Sequence, residues 1–433
     1  MSGTRQMVLT MFMLSFGYHS GAWRLPDSRS EEIGRLGLIR DMAKAAEAAK
    51  LHAVFFADSQ DAGPVRANAN LGTAVHEPIS VMSALSGHTE KIGLMGTMST
   101  TFSEPYNAAR QFAGLDLLSD GRAGWNIVTS VMGQRNFGME QLPDPETRYR
   151  RATEFTEVVL KLWDSWAPDA IINDRAGGRW VESDRIRDID HVGEFFQVQG
   201  ALNMPRPPQG RPLLVQAGQS EAGKTLGARF ADAIYTAQPD REKSIEFYAD
   251  FKRRVAANGR DPEKVKILPG VMPVVAPTLA EAREHADELA RCVDEVSGRA
   301  TVARVLGASV DDLDLDDRIP ADRIVDGPHR DARFKTLYSR MAAEMTVREF
   351  MVALSRGHGH RWIVGTPATV ADSLIEWFEA RAADGFNLNP PSVPHGMDAM
   401  LTLLVPELQE RGYFQDDYRG DTLRERIGAE LHP

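Results

Sequence analysis

The stretch GRAGWNIVTS, Gly121 to Ser130, sets the reading of the whole chain. Its glycine pair breaks any preceding helix, the aromatic and β-branched run that follows favours an extended buried strand, and Asn126 stands where that strand emerges from its sheet. Packing alone favours Val or Ile there, because a buried amide costs free energy unless it is hydrogen-bonded. A parallel-sheet enzyme presents polar groups at its active face in this way.

Outward from this stretch, apolar runs alternate with helical patterns along the chain. Candidate strands cover residues 8–14, 53–58, 92–100, 124–130, 212–218, 233–237, 266–277 and 385–390, eight in all. Helical stretches separate them, including EEIGRLGLIRDMAKAAEAAK (31–50) and RYRRATEFTEVVLKLWDSW (148–166), and MDAMLTLLVPELQERGY (397–413) follows the last strand. Eight strand–helix units predict an α/β fold, a closed (β/α)8 TIM barrel with its site at the C-terminal strand ends. Two stretches break the alternation. Residues 168–211, with Gly177-Gly178 and HVGEFFQVQG, read as an insertion holding an extended hairpin, and residues 293–350, rich in Asp and Arg, read as a second. Loops of such length act as lids, oligomer contacts or substrate walls. The expectation is one domain over residues 1–433 carrying both insertions.

Composition narrows the function. A formal net charge of −11 works against non-specific binding to nucleic acid or anionic membrane, whose phosphates need Lys and Arg partners. The single cysteine, Cys292, excludes an intrachain disulfide and a multi-cysteine metal site, and reads as a small residue within a helix. The N-terminal run MVLTMFMLSF is short, interrupted by Thr10, and reads as a first buried strand rather than a signal peptide. A cytoplasmic protein without a metal is expected. No strand is followed by GxGxxG, and HExxH, GxSxG and EF-hand patterns are missing, which argues against a built-in NAD site and against zinc, serine-hydrolase and calcium chemistry.

Polar residues gather at the predicted strand ends. His19 follows strand one in GYHSGAW, Asp58 ends strand two, Ser99, Thr100 and Thr101 end strand three, and Asn126 and Thr129 end strand four. His19 and Asp58 also suit purely structural roles, as hydrogen-bonder and turn residue. In VQAGQSEAGKTLG, Gly218 frees the backbone and Ser220 precedes a helix whose first amides lack partners, the physical recipe for an anion site. Ser220 also suits simple helix capping, and the register of GQSEAGKT is wrong for a Walker motif. A polycarboxylate substrate would call for Arg66, Arg330 or Arg361 at the mouth, and an apolar one for Phe12, Trp23, Phe56 and Met98.

GRAGWNIVTS, taken with AVFFAD, RYRRATEF, VQAGQSEAGK, VGTPATVADSLIEWFEARAADGFNL and VPELQERGYFQDDYRGDTLRERIG, closely resembles the two-component, reduced-flavin-dependent monooxygenases of the bacterial luciferase-like superfamily. The resembling group contains nitrilotriacetate, EDTA and dibenzothiophene sulfone monooxygenases, and the match runs along most of the chain. The resemblance implies a luciferase-like barrel that binds reduced FMN non-covalently and activates O2 on it. It places Asp58, Thr100 and Asn126 around the flavin ring, Tyr149, Gly218 and Ser220 at its ribityl and phosphate end, and His19 in the substrate cavity; Thr129, a hydroxyl on a β-rich segment, joins the cofactor-binding candidates. His19 and Asn126 are the catalytic candidates. It further implies a separate NAD(P)H:flavin reductase, a homodimer or homotetramer, and oxygenation at or next to sulfur or nitrogen that leads to C–S or C–N cleavage. Relatives often carry His in an HDxRY-like motif where this chain has Pro145 in PETRY, which predicts weaker FMN binding. Two alternatives are a deazaflavin-dependent oxidoreductase of the same superfamily and a non-catalytic flavin-binding subunit.

Overall fold

The computed structural model describes residues 5–62, 76–324, 338–356 and 359–432. All eight expected strands form: β1 Val8–Phe12, β2 Ala53–Phe56, β3 Gly93–Ser99, β4 Ala123–Val128, β5 Leu213–Gln216, β6 Ala233–Thr236, β7 Lys266–Val275 and β8 Gly385–Leu388. Each pairs in parallel with the next, and β8 returns to β1, so the sheet closes into an eight-stranded barrel.

Side-chain alternation divides each strand between two cores. Val8, Phe55, Met95, Val215, Tyr235 and Leu268 fill the barrel, while Leu9, Trp125, Ile127 and Phe386 pack outward against the helices. Phe56 and Met98 belong to the outer core, so they do not wall a substrate pocket. Inside the barrel, Leu423 and Ile427 of the C-terminal segment join the inner cluster at the N-terminal strand ends. There Arg424, 1% exposed, pairs with Asp232 at 2.8 Å. The GRAGW turn is anchored by Arg122, whose buried guanidinium donates to the carbonyls of Ser86, Thr89, Ile92 and Ser119 and to Thr89 Oγ1 at 2.6–3.0 Å.

Several boundaries differ from the sequence reading. The stretch 31–50 is helical only over Leu36–Ala48, because Gly34 turns into the left-handed region at φ 78° and ends a short 3-10 turn. The C-terminal helix starts at His395 and passes through a π-helical turn, Met400–Leu404, just before Pro406, which has no N–H to close the regular ladder. Cys292 is the C-cap of the helix Leu279–Arg291 rather than an interior residue, since Asp294 caps a new helix at Glu295.

The first insertion holds two short hairpins, Ile171–Asp174 with Arg179–Val181 and His191–Val192 with Gln197–Val198. The second contributes the helices Glu295–Leu306, Ser339–Glu344 and Val347–Ser355 around a small core of its own, including Val302, Leu306, Val347 and Phe350. A strand the sequence reading lacks, Arg361–Gly365, pairs with the outer half of β7. It forms because β7, at ten residues, extends beyond the barrel and offers a free edge. Among the described residues no helix is long and apolar enough to cross a membrane.

Candidate active site

Polar side chains line the barrel interior near the C-terminal strand ends. On β4, the Asn126 amide nitrogen donates to Thr97 Oγ1 of β3 at 2.8 Å. On the β8 side, Thr10 Oγ1 donates to Asn387 Oδ1 at 2.8 Å, Tyr235 OH donates to Thr10 Oγ1 at 3.2 Å, and Asn387 Nδ2 donates to Asn389 Oδ1 at 3.2 Å. These bonds leave one acceptor, Asn126 Oδ1, and one donor, Asn389 Nδ2, buried without partners. Strands β4 and β8 lie opposite one another in the closed order, so the orphan groups come from opposite walls. A native interior rarely leaves such atoms unsatisfied, and their presence marks a place for a ligand that both donates and accepts.

The rim above them is a bonded network. Asp58, half-buried after β2, accepts from Gln60 Nε2 at 3.0 Å, and burial holds its carboxyl above the usual carboxylate range. Ser130 Oγ lies 3.3 Å from Gln60 Oε1 and 2.7 Å from Ser99 Oγ, which ties the ends of β2, β3 and β4 together. Thr100 is fully buried, with its amide and hydroxyl both on the Val128 carbonyl at 2.9 and 3.2 Å, so it fixes the strand ends. Thr129 lies just past the end of β4 and is partly buried.

The helix Pro145–Trp163 supplies the other side of the rim. Asp144 caps it, accepting from Thr147 N at 2.9 Å, and Pro145 occupies the first helical position, where its missing N–H leaves nothing unsatisfied. Arg148 donates to the Ser130 carbonyl, and Arg151 donates to the carbonyls of Thr100 and Ser103 at 3.2 and 3.3 Å. Between these arginines Tyr149 brings its hydroxyl to 3.4 Å from Ser220 Oγ, uniting residues 71 positions apart. Ser220 caps the helix Glu221–Phe230 by accepting from Gly223 N at 3.1 Å. A Cβ on Gly218 would lie 2.2 Å from Gln216 Nε2 and 3.0 Å from the Gly223 Cα, so only glycine allows the loop this close to the helix start. Tyr149, Gly218 and Ser220 thus meet at a helix N-terminus, a geometry that suits an anionic group. The orphan amides inside and this cradle at the rim together fit a flat, hydrogen-bonding ring with an anionic tail.

His19 sits elsewhere. It is 2% exposed, its Nδ1 accepts from Gly21 N at 3.2 Å, and its Nε2 meets Ser355 Oγ at 2.9 Å. Because Ser355 already donates to the Val352 carbonyl, His19 Nε2 is the donor, and the imidazole ties the β1 loop to the second insertion. Arg361 turns outward: Nη2 donates to Ser373 Oγ at 2.6 Å and the guanidinium lies 3.9 Å from the Trp377 ring centroid. Arg66 and Arg330 lie outside the described residues. Sequence reasoning missed Thr97, Asn387 and Asn389; the alternating asparagines of GFNLNP were the available signal for two of them. Among the described residues no cluster of His, Cys, Asp and Glu could hold a metal ion.

Comparison with known proteins adds the family. The model of the family described as luciferase-like monooxygenase matches residues 11–384. N-acetyl-S-(2-succino)cysteine monooxygenase of Bacillus subtilis (strain 168) is 41% identical, over 99% of this chain and 98% of its own length. Nitrilotriacetate monooxygenase component A of Aminobacter aminovorans is 38% identical, over 99% and 97%. The solved structure of EDTA monooxygenase from Chelativorans sp. BNC1 superposes with a TM-score of 0.80 at 32% identity, covering 98% of this chain and 99% of that one.

Proposed function

This chain belongs to the luciferase-like monooxygenase family, and on that premise we propose that it binds reduced FMN non-covalently and, with O2, oxygenates a small organic substrate at or next to sulfur or nitrogen. The observation that carries this reading is the pair of orphaned amide atoms, Asn126 Oδ1 and Asn389 Nδ2, on opposite walls of the barrel. An isoalloxazine edge offers both an N–H and carbonyl oxygens, which match an unpaired acceptor and an unpaired donor. The phosphate would rest at Tyr149, Gly218 and Ser220, where the helix N-terminus favours negative charge.

Reduced flavin, when bound, supplies the electrons that activate O2. The chain's own contribution is positioning and exclusion of water. Asn126, held by Thr97, orients the ring; Asp58, kept above the ordinary carboxylate range by burial, holds a proton at the rim more tightly than a solvated carboxyl. Phe12 and Tyr18, in edge contact at 5.2 Å, give the neighbouring wall its apolar character. Oxygenation of a carbon beside sulfur or nitrogen gives a product that breaks its C–S or C–N bond, consistent with the thioether and aminopolycarboxylate substrates in the relatives' names.

A separate NAD(P)H:flavin reductase would deliver the reduced FMN, a reading supported by a relative that is itself a component A. Oxygen uptake and product mass spectrometry with purified protein, an NADH:FMN reductase and a panel of thioethers, sulfones and aminopolycarboxylates test this function. A substrate-dependent oxygenated or cleaved product is expected; absence of FMN binding would return the deazaflavin and non-catalytic readings.

A further inference from the structure

A cavity of about 310 Å³ lies at the N-terminal strand ends, opposite the end that carries Asn126. His52 just before β2, Lys266 at the start of β7, Asp384 just before β8 and Arg426 of the C-terminal segment line it, and the exposed Glu263 and Arg419 open it to solvent. Its carboxylates are already matched. Asp384 pairs with Lys252 at 2.8 Å and Glu263 with Arg381 at 3.1 Å, while Glu425 accepts from the amides of Asp421 and Thr422 at 2.7 and 3.0 Å. Its cations are not. Lys266 donates to the Glu263 carbonyl at 2.6 Å and Arg426 to the carbonyls of Gly420, Asp421 and Lys91, so among the described residues neither is paired with a carboxylate.

His52 adds a directional donor. It is 4% exposed, and its Nδ1 accepts from Leu9 N at 3.2 Å, so Nε2 carries the proton of the neutral ring. Among the described residues Nε2 has no hydrogen-bond partner, and a buried donor left in that condition costs free energy until something accepts from it. Burial first, and also the charges of Lys266 and Arg426, hold this imidazole below its usual range, so the three groups share one neighbourhood. A Cβ on Gly428 would stand 3.8 Å from Lys266 Nζ, which places the ammonium beside the C-terminal segment that plugs the barrel.

We propose that this cavity binds a small oxyanion, a carboxylate or phosphate group held by His52 Nε2 and by the charges of Lys266 and Arg426, and that occupancy fastens β1, β2 and β7 to the C-terminal segment. An oxyanion accepts the imidazole N–H and takes a charge-assisted bond from the ammonium, whereas a cation is repelled by both charged groups. The volume admits succinate as well as inorganic phosphate. The site lies at the end of the barrel away from Asn126 and needs no flavin.

Isothermal titration calorimetry on the full chain with inorganic phosphate and with succinate, each against sodium chloride at matched ionic strength, tests the site. Saturable binding of at least one anion is expected, with a melting temperature that rises with its concentration, and the tighter of the two identifies the group. His52→Asn keeps an acceptor for the Leu9 amide and loses the Nε2 donor, so it should weaken binding about tenfold, the scale of one hydrogen bond to a charged group. Lys266→Met should weaken it at least as much. No saturable binding of either anion, or wild-type affinity in both variants, would overturn the proposal. So would binding that Ser220→Ala abolishes and His52→Asn leaves intact, because the anion would then sit at the opposite rim.

Discussion

The Asn126 amide nitrogen donates to Thr97 Oγ1 at 2.8 Å across neighbouring strands, and the same amide's oxygen is left buried without a partner. One bond thus fixes the orientation of the group and reserves its other end. With Asn389 Nδ2 in the same condition on the opposite wall, the barrel holds a complementary pair of unmet hydrogen bonds.

Asn126→Ala is therefore expected to abolish oxygenation while leaving the protein folded. The orphan acceptor has no protein partner to lose, and the one bond given up, to Thr97 Oγ1, costs about 1–3 kcal/mol, which a chain of this size withstands. Turnover near that of the wild type, measured with reductase and substrate, would take Asn126 out of the active site.

Ser220→Ala removes a hydroxyl that caps a helix and faces Tyr149. FMN binding should weaken by about 1–2 kcal/mol, the scale of a hydrogen bond to a charged group, and the helix should lose about 1 kcal/mol from its cap. Fluorescence titration with FMN separates the two, since a cap alone lowers the melting temperature without moving the dissociation constant.

Burial pushes the imidazole of His52 down to about 4, and its Nδ1 accepts from Leu9 N at 3.2 Å, so the native state uses the neutral ring. The unfolded chain, with a pKa near 6.5, binds more protons than the native one between these values. Its stabilisation is full above pH ~6.5 and is lost as pH falls toward ~4, on the order of 3 kcal/mol in all. Melting temperatures from pH 7 down to 4 should fall less steeply in His52→Asn, whose carbonyl can still accept from Leu9. Identical slopes would show that His52 does not report acid unfolding.

Arg424→Met breaks the buried pair with Asp232 while roughly keeping side-chain volume. Asp232 retains Arg260 at 3.4 Å and the Leu214 amide, which places the expected loss near the low end for a broken buried pair, about 3 kcal/mol. Urea denaturation reads it directly, and a midpoint within error of the wild type would mean that solvent reaches Asp232.

Much of the architecture was legible in the chain because it depends on local pattern. Strand periodicity along GRAGWNIVTS and its seven counterparts, interrupted by helical repeats, is enough to specify a closed parallel barrel. The C-terminal strand ends could be picked out in the same way, since a polar residue such as Asn126 at the end of an apolar run violates the pattern around it. Ser220 as a helix cap followed from its neighbours alone.

Tertiary structure decided what depends on contact between distant residues. Tyr149 and Ser220 meet only because neighbouring barrel units bring two helix starts together, and Arg122 is buried only because carbonyls from Ser86 to Ser119 converge on it. His19 read as a substrate-facing group, and the packed chain bonds it to the second insertion through Ser355, 336 positions away, while the strand Arg361–Gly365 exists only because β7 exposes an edge. Sequence carries periodicity and local capping, which act over a few residues; which partners a histidine such as His19 meets is set by register and burial across hundreds of residues, and only the packed chain defines those.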